Sequence, residues 1–481
     1  MWSIKEFMEN ILSATSKTLI ADVYIDARLI ARYGGTSPRY TSYPTALHFS
    51  DKFTVGEYQK HALRSNEVLN PRPLSLYVHI PFCQSLCYYC ACHKVITRNT
   101  NRVNVYMDNL YEEIDMQAAL FDDDRVVEQI HFGGGTPTYL SDNQLYDLLV
   151  HLRNRFNLQT GREREFAIEV DPRSVTTHSI GALAEIGFNR LSLGIQDFDP
   201  QVQQAVNRVQ SAVDTIALVE HARDVKFNSI SFDLIYGLPH QTVESFSRTL
   251  DTVIAIQPDR LAVYNYAHLP NRFKGQRMIK ERNLPSPDVK LKILNRTIEK
   301  LLKASYIYIG MDHFALPNDE LVNAQQNGTL QRNFQGYSTH RDCDLIGLGV
   351  SAIGNIDNTY SQNASTTTEY QMALEAGKLP IRRGIEVDSD DRIRAEVIQQ
   401  LMCYGQVDYS YFQQHLDTDF PSYFNNELTR LAPLQRDGLV ELYPNRIQIT
   451  ATGRMLLRTV AMVFDRHLAS ESSDRRYSQT I

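Results

Sequence analysis

Six cysteines occur in the 481 residues, and four of them fall between Cys83 and Cys92. Cys83, Cys87 and Cys90 form a C-x3-C-x2-C arrangement within the stretch YVHIPFCQSLCYYCAC, residues 77–92. Three thiolates on one short loop can converge on a single metal centre. A four-iron cluster needs a ligand for each iron, usually a cysteine thiolate. Three ligands from this loop leave one iron open to the nitrogen and oxygen atoms of a cofactor or substrate. A closed structural zinc site fills all four positions, typically from two separated pairs, and no second pair exists here. Cys343 and Cys403 stand far away and alone. Cys92 leaves one alternative open, because as a fourth ligand it would close the cluster. One local thiol site in a long chain fits a reducing, cytoplasmic setting better than a disulfide scaffold.

Other polar residues fall where a ligand would meet them. Gly133-Gly134-Gly135-Thr136-Pro137 has no Lys-Ser/Thr after it, so it is no phosphate loop, but glycine lets backbone approach a ligand closely. Glu169 in IEVDP can meet a ribose hydroxyl or an ammonium group, the alternative being an ion-paired structural glutamate. Asp171-Pro172 reads as a turn. Gln196 and Asp197 leave an apolar strand and need partners if buried, which points to a ligand or a water network. His79 is read as a buried support for the cysteine loop.

The elements that position these groups are short strands separated by helix-period segments. The expected strands are 76–80, 127–132, 166–170, 190–195, 229–237 and 260–266, each rich in aromatic or β-branched residues. Between Val289 and Leu302, Leu291, Leu294, Ile298 and Leu301 recur at helical spacing, behind a Ser286 N-cap and Pro287. Six β-α units predict an α/β fold with a parallel sheet, as a partial (β/α)6 barrel or an open sheet, and with ligands at the carboxyl ends of the strands. The polar residues above gather there, joined by Asp233 within the fifth strand and by Tyr266 and His268 after the sixth.

Residues 1–73 read as an N-terminal extension and arm, 74–374 as the barrel with its cluster loop 83–92, and 375–481 as a mostly helical C-terminal domain. In that last part, two helices precede a hairpin turning at Pro444–Asn445, and a helix is expected around Arg454–Leu468. The pattern is winged-helix-like. The net charge of −7 and the lack of a basic stripe favour a lid or docking role over nucleic-acid binding. The N-terminus is broken by Lys5, Glu6, Glu9, Lys17 and Asp22, so a peripheral helix is expected there rather than a secretory signal. No apolar run is long enough for a membrane span.

The cysteine spacing at the end of a first strand, with Tyr89 before the third cysteine, resembles the radical S-adenosylmethionine superfamily. The resemblance extends to the oxygen-independent coproporphyrinogen III oxidase (coproporphyrinogen dehydrogenase) family. It is carried by PRYTSYPTA (38–46), SLYVHIPFCQSLCYYCACHK (75–94), HFGGGTPTYL (131–140), IEVDPR (168–173), GFNRLSLGIQDF (187–198), FDLIYGLP (232–239), NYAHLP (265–270), GMDHFA (310–315) and RNFQGYSTHRDCDLIGLGVSAIG (332–354). The resemblance implies a [4Fe–4S] cluster on Cys83, Cys87 and Cys90 and two copies of S-adenosylmethionine. Tyr77, Gly134 and Glu169 match positions contacting the first copy, with Tyr77 and Glu169 expected at the reacting centre. Tyr89, Gly135, Thr136, Gln196, Arg208, Asp233, Ala267 and Ile353 match positions near the second. The implied reaction removes a hydrogen atom from the β-carbon of a porphyrinogen propionate, then CO2 and one electron, leaving a vinyl group. Done twice, it converts coproporphyrinogen III to protoporphyrinogen IX.

Because this substrate carries four carboxylates, a guanidinium partner is appropriate, and Arg39 in the arm is the candidate. An electron donor of the flavodoxin or ferredoxin kind and a monomeric state are also implied, with no nucleic acid or membrane partner. Ala91 and His93 depart from the glycine and asparagine of the family pattern. Two related activities stay open: a haem-binding chaperone, disfavoured by Cys92 and the arm, and a radical methyltransferase acting on haem.

Overall fold

The computed structural model describes residues 27–468 except Arg162. The extension expected at the very N-terminus lies outside the described residues. Six parallel strands form the barrel: β1 (Leu74–Ile80), β2 (Val126–Gly134), β3 (Glu165–Val170), β4 (Arg190–Gln196), β5 (Ser229–Tyr236) and β6 (Arg260–Asn265). Each pairs with the next in chain order. Their side chains alternate between two environments. In β3, Phe166, Ile168 and Val170 are buried, while Glu165, Ala167 and Glu169 occupy the opposite face of the pleat.

The helix expected behind Ser286 begins as the sequence predicts, and another opens with a capping box. Pro287–Lys303 is capped by Ser286, whose hydroxyl accepts from the Val289 amide, and Asp142–Arg155 opens with a Ser141/Gln144 capping box.

The sheet extends beyond the six strands at both edges. An antiparallel pair, β7 (Ile307–Gly310) and β8 (His313–Ala315), joins next to β6. At the other edge, β9 (Asp344–Leu348) runs parallel to β1, followed by antiparallel β10 (Ile353–Ile356), β11 (Thr359–Asn363) and β12 (Ile381–Glu386). The order is β7-β8-β6-β5-β4-β3-β2-β1-β9-β10-β11-β12. The sheet therefore reaches Glu386, past the residue-374 limit read from the sequence. β12 supplies the hydrogen bonds that the β11 edge would otherwise lack.

The C-terminal part is winged-helix-like. Helices Ser389–Tyr404 and Asn425–Arg436 pack with a small sheet of β13 (Gln406–Asp408), β14 (Val440–Tyr443) and β15 (Arg446–Ile449), in the order β13-β15-β14. The single helix expected around Arg454–Leu468 is instead two short helices, Ala451–Met455 and Leu457–Ala461, and a final 3-10 turn. Leu456, which is fully buried, lies at the break. The core of this part, around Phe412, Phe420, Phe424 and Phe464, takes in Tyr40 and Tyr43 from the arm. Tyr40 donates to Asp465 (3.0 Å), Tyr43 Oη accepts from the Arg466 amide (3.1 Å), and Arg458 donates to the Ser37 carbonyl (3.1 Å). The arm is thus packed into the C-terminal part.

At the amino-terminal end of the sheet, Arg125 donates to Asp344 (2.7 Å), Ser65 (2.7 Å), Asn66 (3.0 Å) and the Arg72 carbonyl (2.6 and 3.1 Å). Both side chains of the Arg125–Asp344 pair are almost wholly buried. Removing one member leaves the other charge uncompensated in the interior. Arg125→Ala is therefore expected to cost about 3–5 kcal/mol, read as a lower urea midpoint.

Candidate active site

The cysteine loop leaves the carboxyl end of β1 and is closed at its base by a short parallel ladder. Phe82 and Cys83 pair with Val95 and Ile96. Its middle is held from outside: the Tyr88 amide donates to the Val206 carbonyl (3.0 Å) and Asn207 to the Leu86 carbonyl (2.8 Å). Lys94 donates to the carbonyls of Cys90 (2.9 Å) and Cys92 (3.3 Å). The three sulfurs meet distinct partners. Cys83 Sγ lies 3.4 Å from Thr136 Oγ1. Cys87 Sγ accepts from Arg173 (3.4 Å) and Arg208 (3.5 Å). Cys90 is within hydrogen-bond reach of Cys92, and that bond brings the Cys90 thiol down to about 6 against burial, with Lys94 helping. Burial pushes the Cys83 thiol up to about 11. All six cysteines are free thiols.

The glycine segment ends β2 and lies against the cysteine loop and Glu169. The Gly135 amide donates to the Ile80 carbonyl (2.8 Å), and Gly134 has φ +115°, a conformation glycine adopts without strain. Side chains are excluded here. A Cβ on Gly133 would lie 2.6 Å from Glu169 Oε1, and one on Gly134 2.6 Å from the His79 ring.

Glu169 accepts from His131 Nε2 (3.2 Å) and from the Gly134 amide (3.3 Å). Burial would raise its pKa, but these bonds and the charge of His131 hold the carboxyl below the usual range. The Tyr77 ring stacks on His131, and its hydroxyl lies 3.2 Å from His79 Nδ1. His79 Nε2 lies 3.2 Å from the His93 carbonyl. Burial, then His93, pushes His79 down to about 4, so it is neutral at pH 7. A carbonyl only accepts, so Nε2 carries the proton and Nδ1 accepts from Tyr77. His79 thus supports the cysteine loop, as its place in the sequence suggests.

Across the sheet, burial and then the Glu169 charge push the Asp233 carboxyl up to about 7, while Ser192 donates to it (3.2 Å). Arg208 donates to Asp171 (3.0 Å) and to the Gly194 carbonyl. Asp171 is also paired with Arg173 (2.7 Å); these partners overcome burial and lower its pKa.

Gln196 ends β4 with φ +67°. Asp197 corrects the sequence reading: it is 1% exposed and satisfied by Thr249, Gln241 (2.6 Å) and the Asp199 amide (2.8 Å). It needs neither ligand nor water, because Gln241 and Thr249 arrive from a distant part of the chain. Ala267 follows β6, where Gln276 donates to its carbonyl (3.2 Å) and to that of Tyr89 (3.0 Å). Ile353 opens β10, beyond β1 and β9. Arg39 ion-pairs with Asp312 and lies over the Tyr264 ring, 5.6 Å from its centroid.

Sequence reasoning missed His131, Arg173 and Gln276. His131 was findable, since it alternates on one strand face with Gln129 and Gly133. Arg173 lies two residues from its partner Asp171, but its contact with Cys87 and that of Gln276 with the Tyr89 carbonyl cross the chain and leave no local signal.

Three thiols on one loop, one of them facing two guanidinium groups, beside a glycine cradle, suit an anionic cluster that keeps one iron open. Such a loop after the first strand of a (β/α)6 barrel defines a radical S-adenosylmethionine enzyme, and the Radical SAM superfamily model matches residues 77–253. The HemN C-terminal domain model matches residues 387–456. The oxygen-independent coproporphyrinogen III oxidase of Pseudomonas aeruginosa is 52% identical over 95% of this chain and 98% of its own length. That of Escherichia coli is 47% identical over 95% and 98%. The solved structure of the Escherichia coli coproporphyrinogen III oxidase, described as a radical SAM enzyme, superposes with a TM-score of 0.87 at 46% identity, covering 92% of this chain and 99% of that one. This chain belongs to the oxygen-independent coproporphyrinogen III oxidase family. A [4Fe–4S] cluster and S-adenosylmethionine are the cofactors of its superfamily, and the residues present fit both. Among the described residues, no helix is long and apolar enough to cross a membrane.

Proposed function

We propose that this chain oxidatively decarboxylates two propionates of coproporphyrinogen III to vinyl groups, giving protoporphyrinogen IX for tetrapyrrole synthesis without oxygen. The observation that carries the reading is the loop of Cys83, Cys87 and Cys90 at the end of β1, with Arg173 and Arg208 on Cys87 and the Gly133–Gly135 cradle and Thr136 beside Cys83. When bound, the reduced cluster and S-adenosylmethionine supply a carbon-centred radical able to take a hydrogen atom.

The chain's own residues bind, orient and shield. Ionised Glu169 and the Tyr77 oxygen, whose proton is committed to His79, present acceptors to an ammonium group. The Gly133–Gly135 backbone allows close approach. Tyr89, Gly135, Thr136, Gln196, Arg208, Asp233, Ala267 and Ile353 are assigned to a second S-adenosylmethionine. Arg39 is assigned to a substrate carboxylate. Away from the cysteine loop, toward the amino-terminal ends of the strands, Arg332, Arg341 and Arg392 line a cavity of about 580 Å³ between arm, sheet and C-terminal part, together with Asp342, Asp357 and Glu396. Arg332 is 4% exposed, and its Nη1 has no hydrogen-bond partner among the described residues. The reading includes a monomeric cytoplasmic enzyme fed by a flavodoxin or ferredoxin system.

The test is anaerobic reconstitution, followed by reductant, S-adenosylmethionine, coproporphyrinogen III and cell extract to supply the electron acceptor. Protoporphyrin appearing with methionine and 5′-deoxyadenosine supports the assignment. Cofactor cleavage without protoporphyrin removes the substrate from it.

Asp233 adds a pH prediction. Its carboxyl, raised to about 7 in the free protein, must ionise to face a sulfonium or ammonium group. Affinity for S-adenosylmethionine is therefore expected to rise about tenfold from pH 6 to pH 8 and then level, the ionised fraction growing by that factor. Calorimetry should show proton release, and Asp233→Asn should flatten the profile.

A further inference from the structure

At the opposite end of the sheet from the cysteine loop, three ligand-bearing side chains converge. We propose that Glu128, His340 and Cys343 hold a divalent metal ion of the zinc type. Their ligand atoms all lie within 4.8 Å of one another. Glu128 Oε2 is 3.4 Å from His340 Nδ1 and 3.9 Å from Cys343 Sγ. Ligands around tetrahedral zinc stand about 3.3–3.8 Å apart, given bond lengths of about 2.0–2.3 Å. Small side-chain rotations therefore complete the arrangement.

The surroundings are those of a built site. His340 and Cys343 form an H-x2-C turn between the short strand Gly336–Ser338 and β9. The turn is anchored by the His340 amide on Ser338 Oγ (3.2 Å) and by the Asp344 amide on the Pro73 carbonyl (2.9 Å). The far nitrogen of His340, Nε2, lies 3.6 Å from Glu165 Oε2. Glu165 is buried and is itself held by Gln129 (2.7 Å) and Arg190 (3.4 Å). A carboxylate behind the imidazole orients the ring and makes it a better ligand.

Charge points the same way. Burial and then the charges of Glu128, Asp344 and Asp342 push the Cys343 thiol up, and a cation among these groups would offset that negative charge. Arg125 neutralises Asp344, whereas Glu128 pairs with no Lys or Arg among the described residues. A thiolate, an imidazole and a carboxylate select zinc over calcium or magnesium. Three protein ligands leave a fourth position, and His340 and Cys343 line the large cavity, so water or a small anion can fill it. Arg341, within the same turn, ion-pairs with Glu396 of helix Ser389–Tyr404 (2.6 Å). A metal here would therefore fasten the sheet to the turn that grips the C-terminal part.

The test uses the full chain with its cluster loaded, stripped of loosely held metal and then given Zn2+ alone. One zinc per chain beyond the cluster iron is expected, with a single sulfur neighbour at about 2.3 Å in zinc-edge X-ray absorption. Cys343→Ala and His340→Gln should each weaken zinc binding at least a hundredfold while the iron content holds. If Cys343→Ala does not fold, His340→Gln, at a partly exposed position, carries the test: zinc should raise the melting temperature of the parent and not of this variant. Zinc content that neither substitution changes, or a parent that retains none at micromolar zinc, overturns the proposal. Either result leaves the decarboxylase reading untouched, because that is measured by product.

Discussion

Serine at Cys83, Cys87 or Cys90 is expected to abolish turnover, a loss of at least about 10³-fold or roughly 4 kcal/mol of transition-state stabilisation. The reason is ligand chemistry. Serine oxygen is a poor substitute for thiolate sulfur at iron, and on the proposed assignment each position would hold one iron of a cluster whose fourth iron stays open. Cys87 adds a second term, since Arg173 and Arg208 both donate to its sulfur and would favour the anionic cluster. Iron analysis and the cluster's visible absorption, after anaerobic reconstitution, check the outcome. Cys92→Ser provides the contrast. Cys92 neighbours Cys90 rather than completing a separate pair, so this variant should keep its iron and stay within about tenfold of the parent activity. Iron lost equally from Cys92→Ser would make Cys92 a ligand and close the open position.

Gly135→Ala should be nearly as damaging through geometry alone. A Cβ there meets the Pro81 carbonyl oxygen at 2.5 Å, the Pro81 carbonyl carbon at 2.6 Å and the Phe82 oxygen at 2.9 Å. All three are backbone atoms of the segment leading into Cys83, so no rotamer change relieves the contact. The added methyl must push the glycine loop and the cysteine loop apart, with an overpacking cost of about 1–3 kcal/mol. Cluster content and product formation should fall together, by about a hundredfold in rate, since misplacement of about 1 Å can cost that much. Gly133→Ala differs in kind, because its closest contact is the Glu169 side chain, which can swing. That variant should keep its cluster while losing affinity for S-adenosylmethionine. Iron content and 5′-deoxyadenosine yield measured on both variants separate the two effects.

The cysteine spacing, the order of the six strands and the helix caps were legible because each depends on residues close in sequence. A C-x3-C-x2-C loop brings its own ligands together whatever the remainder of the chain does. Period-2 strands and capped helices likewise declare themselves within a few residues. Glu169 and Asp233 could be named as polar groups in apolar strands, but not the opposite directions in which their pKa values move. That depends on His131 and the Gly134 amide facing one carboxyl, and on burial beside Glu169 for the other. Asp197 carried the same local signal as Asp233 and was satisfied by Gln241 and Thr249, contacts no local pattern reports.

The sequence by itself determined the chemistry on offer: three thiols on one loop, a glycine turn, carboxylates at strand ends and a β-α rhythm to position them. Tertiary structure alone decided which of those groups meet. It set Arg173 and Arg208 on Cys87, seated the arm's Tyr40 and Tyr43 in the C-terminal core and drew β12 into the sheet. It also brought Glu128 to His340 and Cys343 across more than two hundred residues. The physical reason is range. Backbone geometry and capping act within a turn or two, whereas charge pairing and burial depend on distance in space, which exists only once the chain has folded.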